Sequence, residues 1–399
     1  ALLFSGAPAS GKLTAALELS RVLSCGQGAS WNCSCNDCRL HRLLVHPDML
    51  LFGKRSFPEE IAVAREFLGR SPSQASAFFF YRAVRKLLAR FEPALWAGEE
   101  SKLAKAAPLI QAAELSLEAL KPDRPDGFGA EVQAAADGLL ASCAGLEALC
   151  PDQPPMSMVR GMELWARLAP MGKAKTVVIE NADKMQDSSR NAMLKILEEP
   201  PSTVRFVLLS SRRASMMATI LSRSRVYVFE QRTPAQASEV ARRVFKIEEE
   251  VPSLRDYFES RTPFPPAVAS EEAEAFAGRL LADRRSSGRT FRSSLGSSLA
   301  DEADRSGLGM DEILARIRQK TASFGAKDKA MSFSFLRLMR ALAALYSRLL
   351  ADSSQDPGFF AVLDEWSRLT RETAQHYSSL NRNPELLLEV LAEACGRTP

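Results

Sequence analysis

The chain has 399 residues, 46% apolar and 25% charged, with a formal net charge of +4. That make-up is of a globular protein of two or three domains with ample core, and the absence of any membrane-length apolar run or visible signal peptide argues for a cytoplasmic protein with no membrane partner. The mild positive charge permits a nucleic-acid partner without demanding one, and the clustering of four of the seven cysteines points to a metal site in a reducing compartment rather than to disulfides.

Ala1–Phe4 reads as a strand and runs into Gly6-Ala-Pro-Ala-Ser-Gly11-Lys12-Leu13-Thr14. This is G-x-x-x-x-G-K, a loop whose backbone amides can face phosphate oxygens while Lys12 reaches them. Gly6, Gly11, Lys12 and Thr14 are therefore nucleotide-binding candidates. The position after the lysine should carry the hydroxyl that holds Mg²⁺, and here it is Leu13. Thr14 comes one residue late and would point about 100° away on a helix. The alternative is a relic loop that shapes the turn without binding nucleotide.

Cys25, Cys33, Cys35 and Cys38 follow the first expected helix and precede His46-Pro47-Asp48. Four thiolates in so short a span suit a closed tetrahedral structural zinc site, with His41 as a substitute should Cys33 fail to reach the metal. Cys143, Cys150 and Cys395 stand alone on apolar helical stretches and read as core. Met49–Phe52 is a second strand. From Lys54 to Pro155 the chain is rich in Ala, Leu, Glu and Lys, with helical spacing in Phe79–Phe91 and Leu103–Leu120. Within it Tyr81, Arg82, Arg85, Lys86 and Arg90 form a basic helix face, which could touch DNA or, more commonly, stay solvated.

Thr176–Ile179 and Val204–Leu209 are apolar runs without strict alternation, as in strands buried on both faces of a parallel sheet. Between them Asp187 or Ser188 can cap a helix with Ala192, Met193, Ile196 and Leu197 as its apolar stripe, ended by Pro200-Pro201. Strand, helix, strand is a βαβ unit, and ligands of open α/β sheets bind beyond the carboxyl ends of the strands. Those ends are Glu180-Asn181 and Ser210-Ser211, so Glu180 and Ser211 join the nucleotide candidates. Asn181 is neutral and cannot serve as a general base. Ser222-Arg223-Ser224 precedes a last core strand, Val226–Phe229. Thr233-Pro234 starts a run of short helices to about Leu281, and Arg284–Ser294 reads as a polar basic linker. Long amphipathic helices follow at Phe333–Leu350 and Phe359–His376, then an ending from Asn381 to Glu389. Its Leu386, Leu387 and Val390 suit a bundle core as well as a subunit interface.

Thr176–Phe229, with Asn191–Pro201 reading NAMLKILEEPP and Ile220–Ser224 reading ILSRS, resembles the core of bacterial clamp-loader subunits of the AAA+ class. The resemblance covers the Walker B strand, the helix, the sensor 1 strand and the Ser-Arg-Cys motif, with Ser224 in place of the cysteine. It implies an AAA+ P-loop parallel sheet over 1–229, holding a zinc module at 25–38 and a helical insertion at about 55–155. A helical lid at 230–283 and an all-α collar at 290–399 would follow. Members of the family have a helix and loop before the first strand, so an N-terminal truncation is expected. They carry a similar four-cysteine module followed by His-Pro-Asp, with Cys-x2-Cys where this chain has Cys33-x-Cys35.

Leu13 and Asn181 fall on the two motifs that hydrolysis needs. Within the family this pattern belongs to the non-hydrolysing delta-prime class, which helps place the sliding clamp on primed DNA; the alternative is the ATP-hydrolysing gamma/tau motor class. The resemblance further implies gamma/tau and delta subunits, the clamp and primer–template DNA as partners, and structural zinc as cofactor, with ATP binding left open. Arg223 would be an arginine finger in trans, completing a neighbour's ATP site. Any DNA-directed DNA polymerase (nucleotidyltransferase) activity would belong to the DNA polymerase III holoenzyme. A stand-alone zinc-dependent nucleic-acid binder is the weaker third reading.

Overall fold

The structure is a computed structural model that describes residues 1–53, 55, 57–121, 128–151, 153–262, 264–322, 327–353, 356–380 and 383–398. The chain divides into two compact units, Ala1–Phe258 and Glu259–Pro399.

The first unit is built on a five-stranded sheet. Its elements run β1 (Leu2–Gly6), α1 (Lys12–Ser24), α2 (Asn36–Arg42), β2 (Met49–Phe52), α3 (Phe57–Arg70), α4 (Gln74–Leu88), α5 (Glu100–Glu118), α6 (Ala130–Leu149) and α7 (Met156–Arg167). Then come β3 (Lys175–Ile179), α8 (Asp187–Glu198), β4 (Val204–Ser210), α9 (Ala218–Ser222), β5 (Arg225–Phe229), α10 (Pro234–Phe245) and α11 (Leu254–Ser260). All strand pairings are parallel, in the order β2-β3-β4-β1-β5. Leu2 of β1 stands opposite Val207 on one side and Arg225 on the other.

Side chains alternate between the sheet's two faces, and both faces are covered, so the central strands read as unbroken apolar runs. Phe4, Leu51, Val178, Val207 and Leu209 pack with Ala16 and Leu17 of α1. Leu3, Leu50, Phe52, Val177, Ile179, Phe206 and Leu208 face the other way, into one continuous core with α7, α8 and the long helical segment between β2 and α7. β2 and β5 are the edge strands, and Tyr227 and Val228 of β5 stay exposed.

The helices of the 55–155 region are thus part of the main core. Phe57, Phe80, Tyr81, Leu87 and Trp96 are each at most 1% exposed. α7 presses so closely on the Pro93–Trp96 turn that a Cβ on Gly161 would lie 2.0 Å from the Ala94 carbonyl oxygen. On its other side α3 offers Val63 and Phe67 to Ala237, Ala241 and Phe245 of α10 and to Leu254 and Tyr257 of α11. Lys54, Ser56, residues 122–127 and Asp152 of this region lie outside the described residues.

The α8 cap differs from expectation. The helix starts at Asp187, and the N-cap is Gln186 with no side-chain bond. Asp187 instead places its charge in the first turn, where the helix dipole favours it, and pairs with Arg190 at 2.9 Å.

The second unit comprises α12 (Pro266–Ser286), α13 (Ser294–Ser306), α14 (Met310–Ala322), α15 (Lys327–Asp352), α16 (Pro357–Leu380) and α17 (Pro384–Arg397). Phe276, Leu281, Leu342, Tyr346, Trp366 and Leu391 are among its core residues, and the Trp366 indole donates to the Cys395 carbonyl at 3.0 Å. The 284–294 segment is helical as far as Ser286, because α12 carries on through Arg284 and Arg285. The unit division falls inside 230–283: α10 belongs to the first unit and α12 to the second. Asn381 and Arg382 lie outside the described residues.

Candidate functional site: the strand ends and the thiol cluster

The G-x-x-x-x-G-K loop leaves β1 at Gly6, where no side chain fits: a Cβ would lie 2.0 Å from the Phe229 carbonyl oxygen of β5. Gly11 takes the left-handed conformation (φ 97°) that turns the chain into α1. Lys12 is folded back on its own loop. Its Nζ donates to the Gly6 and Ala7 carbonyls at 2.6 Å each and to Ser10 Oγ at 3.3 Å. Burial holds its pKa below the ordinary lysine value, against the pull of Asp183 and Glu180. Leu13 packs against the α1 face of the sheet, and Thr14 points to solvent. The structure therefore brings Lys12 towards the strand-end acids and leaves Thr14 out. Arg232, which sequence reasoning missed, caps the loop from the chain after β5 by donating to the Ala9 carbonyl.

Glu180, at the end of β3, is buried and already paired. Arg90 Nη2 donates to one of its oxygens, and Arg55 Nη1 lies 3.8 Å from the other. Arg55 also pairs with Glu60 at 3.0 Å, and Lys86 pairs with Glu60 as well. The result is a chain of charges, Lys86–Glu60–Arg55–Glu180–Arg90, that ties the helical insertion to the strand end. Asn181 sits in the left-handed conformation at φ 51°. Asp183 accepts from the Ser211 N–H at 3.3 Å and so joins the β3 and β4 ends.

This corrects both readings of the basic helix face. Tyr81, Arg85 and Arg90 are buried, Arg85 bonds Tyr81 Oη at 3.0 Å and pairs with Glu114, and Arg82 donates to the Arg42 carbonyl at 2.8 Å. The cations face acids and carbonyls inside the unit rather than forming an outward charged face. Arg223, at the end of α9, is half-buried. It donates to the Thr219 carbonyl at 3.0 Å and to Ser222 Oγ at 3.3 Å, and pairs with Glu198.

The four module cysteines converge. Their sulfurs all lie within 4.8 Å of one another, with Cys25 Sγ 3.7 Å from Cys33 and 3.8 Å from Cys35. A tetrahedron with Zn–S bonds of about 2.3 Å has edges of about 3.8 Å, so the cluster fits a four-thiolate ion. The short Cys33-x-Cys35 spacing does not exclude Cys33. His41 is no ligand: its Nε2 meets Ser24 Oγ at 2.8 Å and its ring stacks on His46 at 4.0 Å. The Gln27 N–H holds the Cys25 thiol down to about 6, whereas burial pushes Cys38 up to about 12.

His46-Pro47-Asp48 turns out to be a brace. His46 links Asp37 of α2 (3.4 Å) to the Asp48 N–H (3.1 Å). The Asp48 carboxylate accepts from the N–H groups of Met171 (3.0 Å) and Gly172 (2.6 Å) before β3.

Residues 156–233 match the family described as DNA polymerase III, delta subunit. The chain is 37% identical over 65 residues to DNA polymerase III subunit delta' of Haemophilus influenzae, covering 16% of this chain and 20% of that protein. It is 30% identical over 106 residues to replication factor C small subunit 1 of Pyrobaculum arsenaticum, covering 26% and 32%. A DNA polymerase III, gamma subunit-related protein of Thermotoga maritima superposes with a TM-score of 0.32 at 17% identity, over 60% of this chain and 78% of that one. The chain thus spans a third or less of the length of these curated relatives. The matched stretch holds β3, α8, β4 and β5, and over that stretch the chain is similar to clamp-loader subunits.

Proposed function

We propose that the chain is a non-hydrolysing clamp-loader subunit of the delta-prime class. It works in the cytoplasm with gamma/tau and delta subunits to load the sliding clamp on primed DNA. One observation carries this reading: Glu180, the carboxylate placed to hold a metal at the strand end, is paired with Arg90 and Arg55. Phosphoryl transfer needs a cation bridging the phosphates and a group that orients the attacking water. Here the carboxylate faces guanidinium groups, Leu13 supplies no hydroxyl and Asn181 supplies no base. Gly6, Gly11 and Lys12 can still cradle phosphates once Lys12 leaves its own carbonyls. The glycines and lysine of that loop are the feature favouring the gamma/tau motor class.

Cys25, Cys33, Cys35 and Cys38 hold a structural zinc, which leaves no open position for substrate and acts by fixing the module's fold. Residues 230–283 act as lid, 290–399 as collar, and Arg223 as the finger offered to a neighbour. The test is ATP turnover by the purified chain, alongside its co-purification with gamma/tau and delta subunits. Background turnover with stable association is the expected result. Lys12-dependent turnover would move the chain to the motor class, and failure to associate would sink the reading altogether.

A further inference from the structure

We infer that Arg21 of α1 is a positioning residue of the metal site, holding the four-thiolate cluster in shape and offsetting its charge. The inference rests on the reading that the cluster binds zinc. Arg21 is 2% exposed and lies behind the sulfurs, on the same helix that begins at the phosphate-type loop. A guanidinium has five N–H donors in a fixed plane, and here each has an acceptor. Nε and one Nη2 donor go to Glu18, at 2.9 and 2.6 Å. The other Nη2 donor meets the Ala29 carbonyl at 3.1 Å. Nη1 serves the Ser30 carbonyl at 3.3 Å and Cys38 Sγ at 2.9 Å.

The two carbonyls belong to the loop between Cys25 and Cys33, and the sulfur belongs to α2. One side chain therefore sets the distance between the two halves of the ligand set. Four thiolates around Zn²⁺ carry a net charge of −2, and a buried charge is costly unless it is paired. Arg21 is the guanidinium in direct contact with a sulfur of the cluster. A hydrogen bond to a ligand sulfur offsets part of the thiolate's buried negative charge, and partners of this kind are typically worth 10- to 100-fold in metal affinity. Lysine cannot replace the arrangement, because its three donors radiate from one point.

The experiment is zinc competition against a chromophoric chelator on the full chain, paired with the sulfur-to-metal charge-transfer band of the cobalt(II)-loaded protein. Arg21→Gln should weaken zinc binding about 10- to 100-fold and shift the cobalt band. Arg21→Lys should fall between Arg21→Gln and the parent. Glu18→Gln, which leaves the sulfur contact in place, should stay near the parent. If the parent takes up neither metal, the zinc reading itself fails. If the parent binds one zinc and Arg21→Gln matches it in affinity and spectrum, the zinc reading stands and the role of Arg21 is overturned. Should Arg21→Gln not fold, Arg21→Lys decides, and parental affinity there overturns the inference. A loss in Glu18→Gln equal to that in Arg21→Gln also overturns it, since the effect would then come from the α1 surface.

Discussion

Arg90 keeps a full charge in a site that is 5% exposed, and the Glu180 it binds is 8% exposed. Removing one partner of such a pair strands the other, at a cost of about 3–5 kcal/mol. Arg90→Met should therefore lower the urea midpoint of the first unit strongly, since Arg55 at 3.8 Å is a poor replacement. Adding Glu180→Gln should recover much of the loss. Equal midpoints for Arg90→Met and the parent would show the pair to be uncoupled. Glu60 adds a pH signature. Burial pushes its carboxyl up, but Arg55 and Lys86 outweigh burial and hold it below the ordinary value of 4.5. The unfolded chain then takes up the proton first on acidification. The stabilisation is complete above the unfolded value and is lost as pH falls through the lower folded one. Glu60→Gln should flatten that acid limb in urea midpoints measured against pH. The basic residues of this cluster were legible in the sequence, but their partners were not. Glu60, Glu114 and Glu180 lie far from Arg90 along the chain or on other helices, and a helical wheel cannot see across a core.

At the scale of elements, β1, β3 and β4 were legible because a strand covered on both faces leaves an apolar run in the sequence, whereas β5 was read from its place after Ser222-Arg223-Ser224 although Tyr227 and Val228 are exposed. Caps were less so, since Gln186 offers no side-chain signal. α17 shows where spacing alone stops. Leu387, Leu388 and Leu391 are core, while Leu386 and Val390 are each 59% exposed. The exposed pair is four residues apart and forms one outward stripe. In the proposed collar, that stripe faces another subunit. Leu386→Ser with Val390→Ser should leave thermal stability nearly unchanged, each exposed change being worth about 0.5 kcal/mol or less, while weakening co-purification with other clamp-loader subunits. Unchanged co-purification would assign the stripe to solvent. For the metal module, zinc analysis should find one ion per chain, lost in Cys35→Ser, because a sulfur 3.8 Å from Cys25 cannot be replaced by a hydroxyl of lower metal affinity.

For the whole molecule, the question is how a chain whose own strand end is closed by arginines could matter to ATP turnover. Arg223 offers an answer through a neighbour. Its present partners are local: a carbonyl and a hydroxyl on α9 and the half-exposed Glu198 at the end of α8. An ion pair that exposed contributes about 0–1 kcal/mol, so the guanidinium can leave Glu198 for a phosphate at little cost. A phosphoryl group in transfer offers far more charge and a matching planar fork of oxygens. Arg223→Ala should therefore fold normally and assemble with the motor subunits, because nothing in the core depends on it. In the assembled complex it should lower clamp- and DNA-stimulated ATP turnover, by up to about 10³-fold at the single site it completes. The total loss is smaller where other sites keep their own fingers. Glu198→Gln makes a useful companion: freeing Arg223 from its local acid should leave turnover at or above the parental rate. Parental turnover and clamp loading in Arg223→Ala complexes would remove the finger from this chain and leave it a scaffold alone.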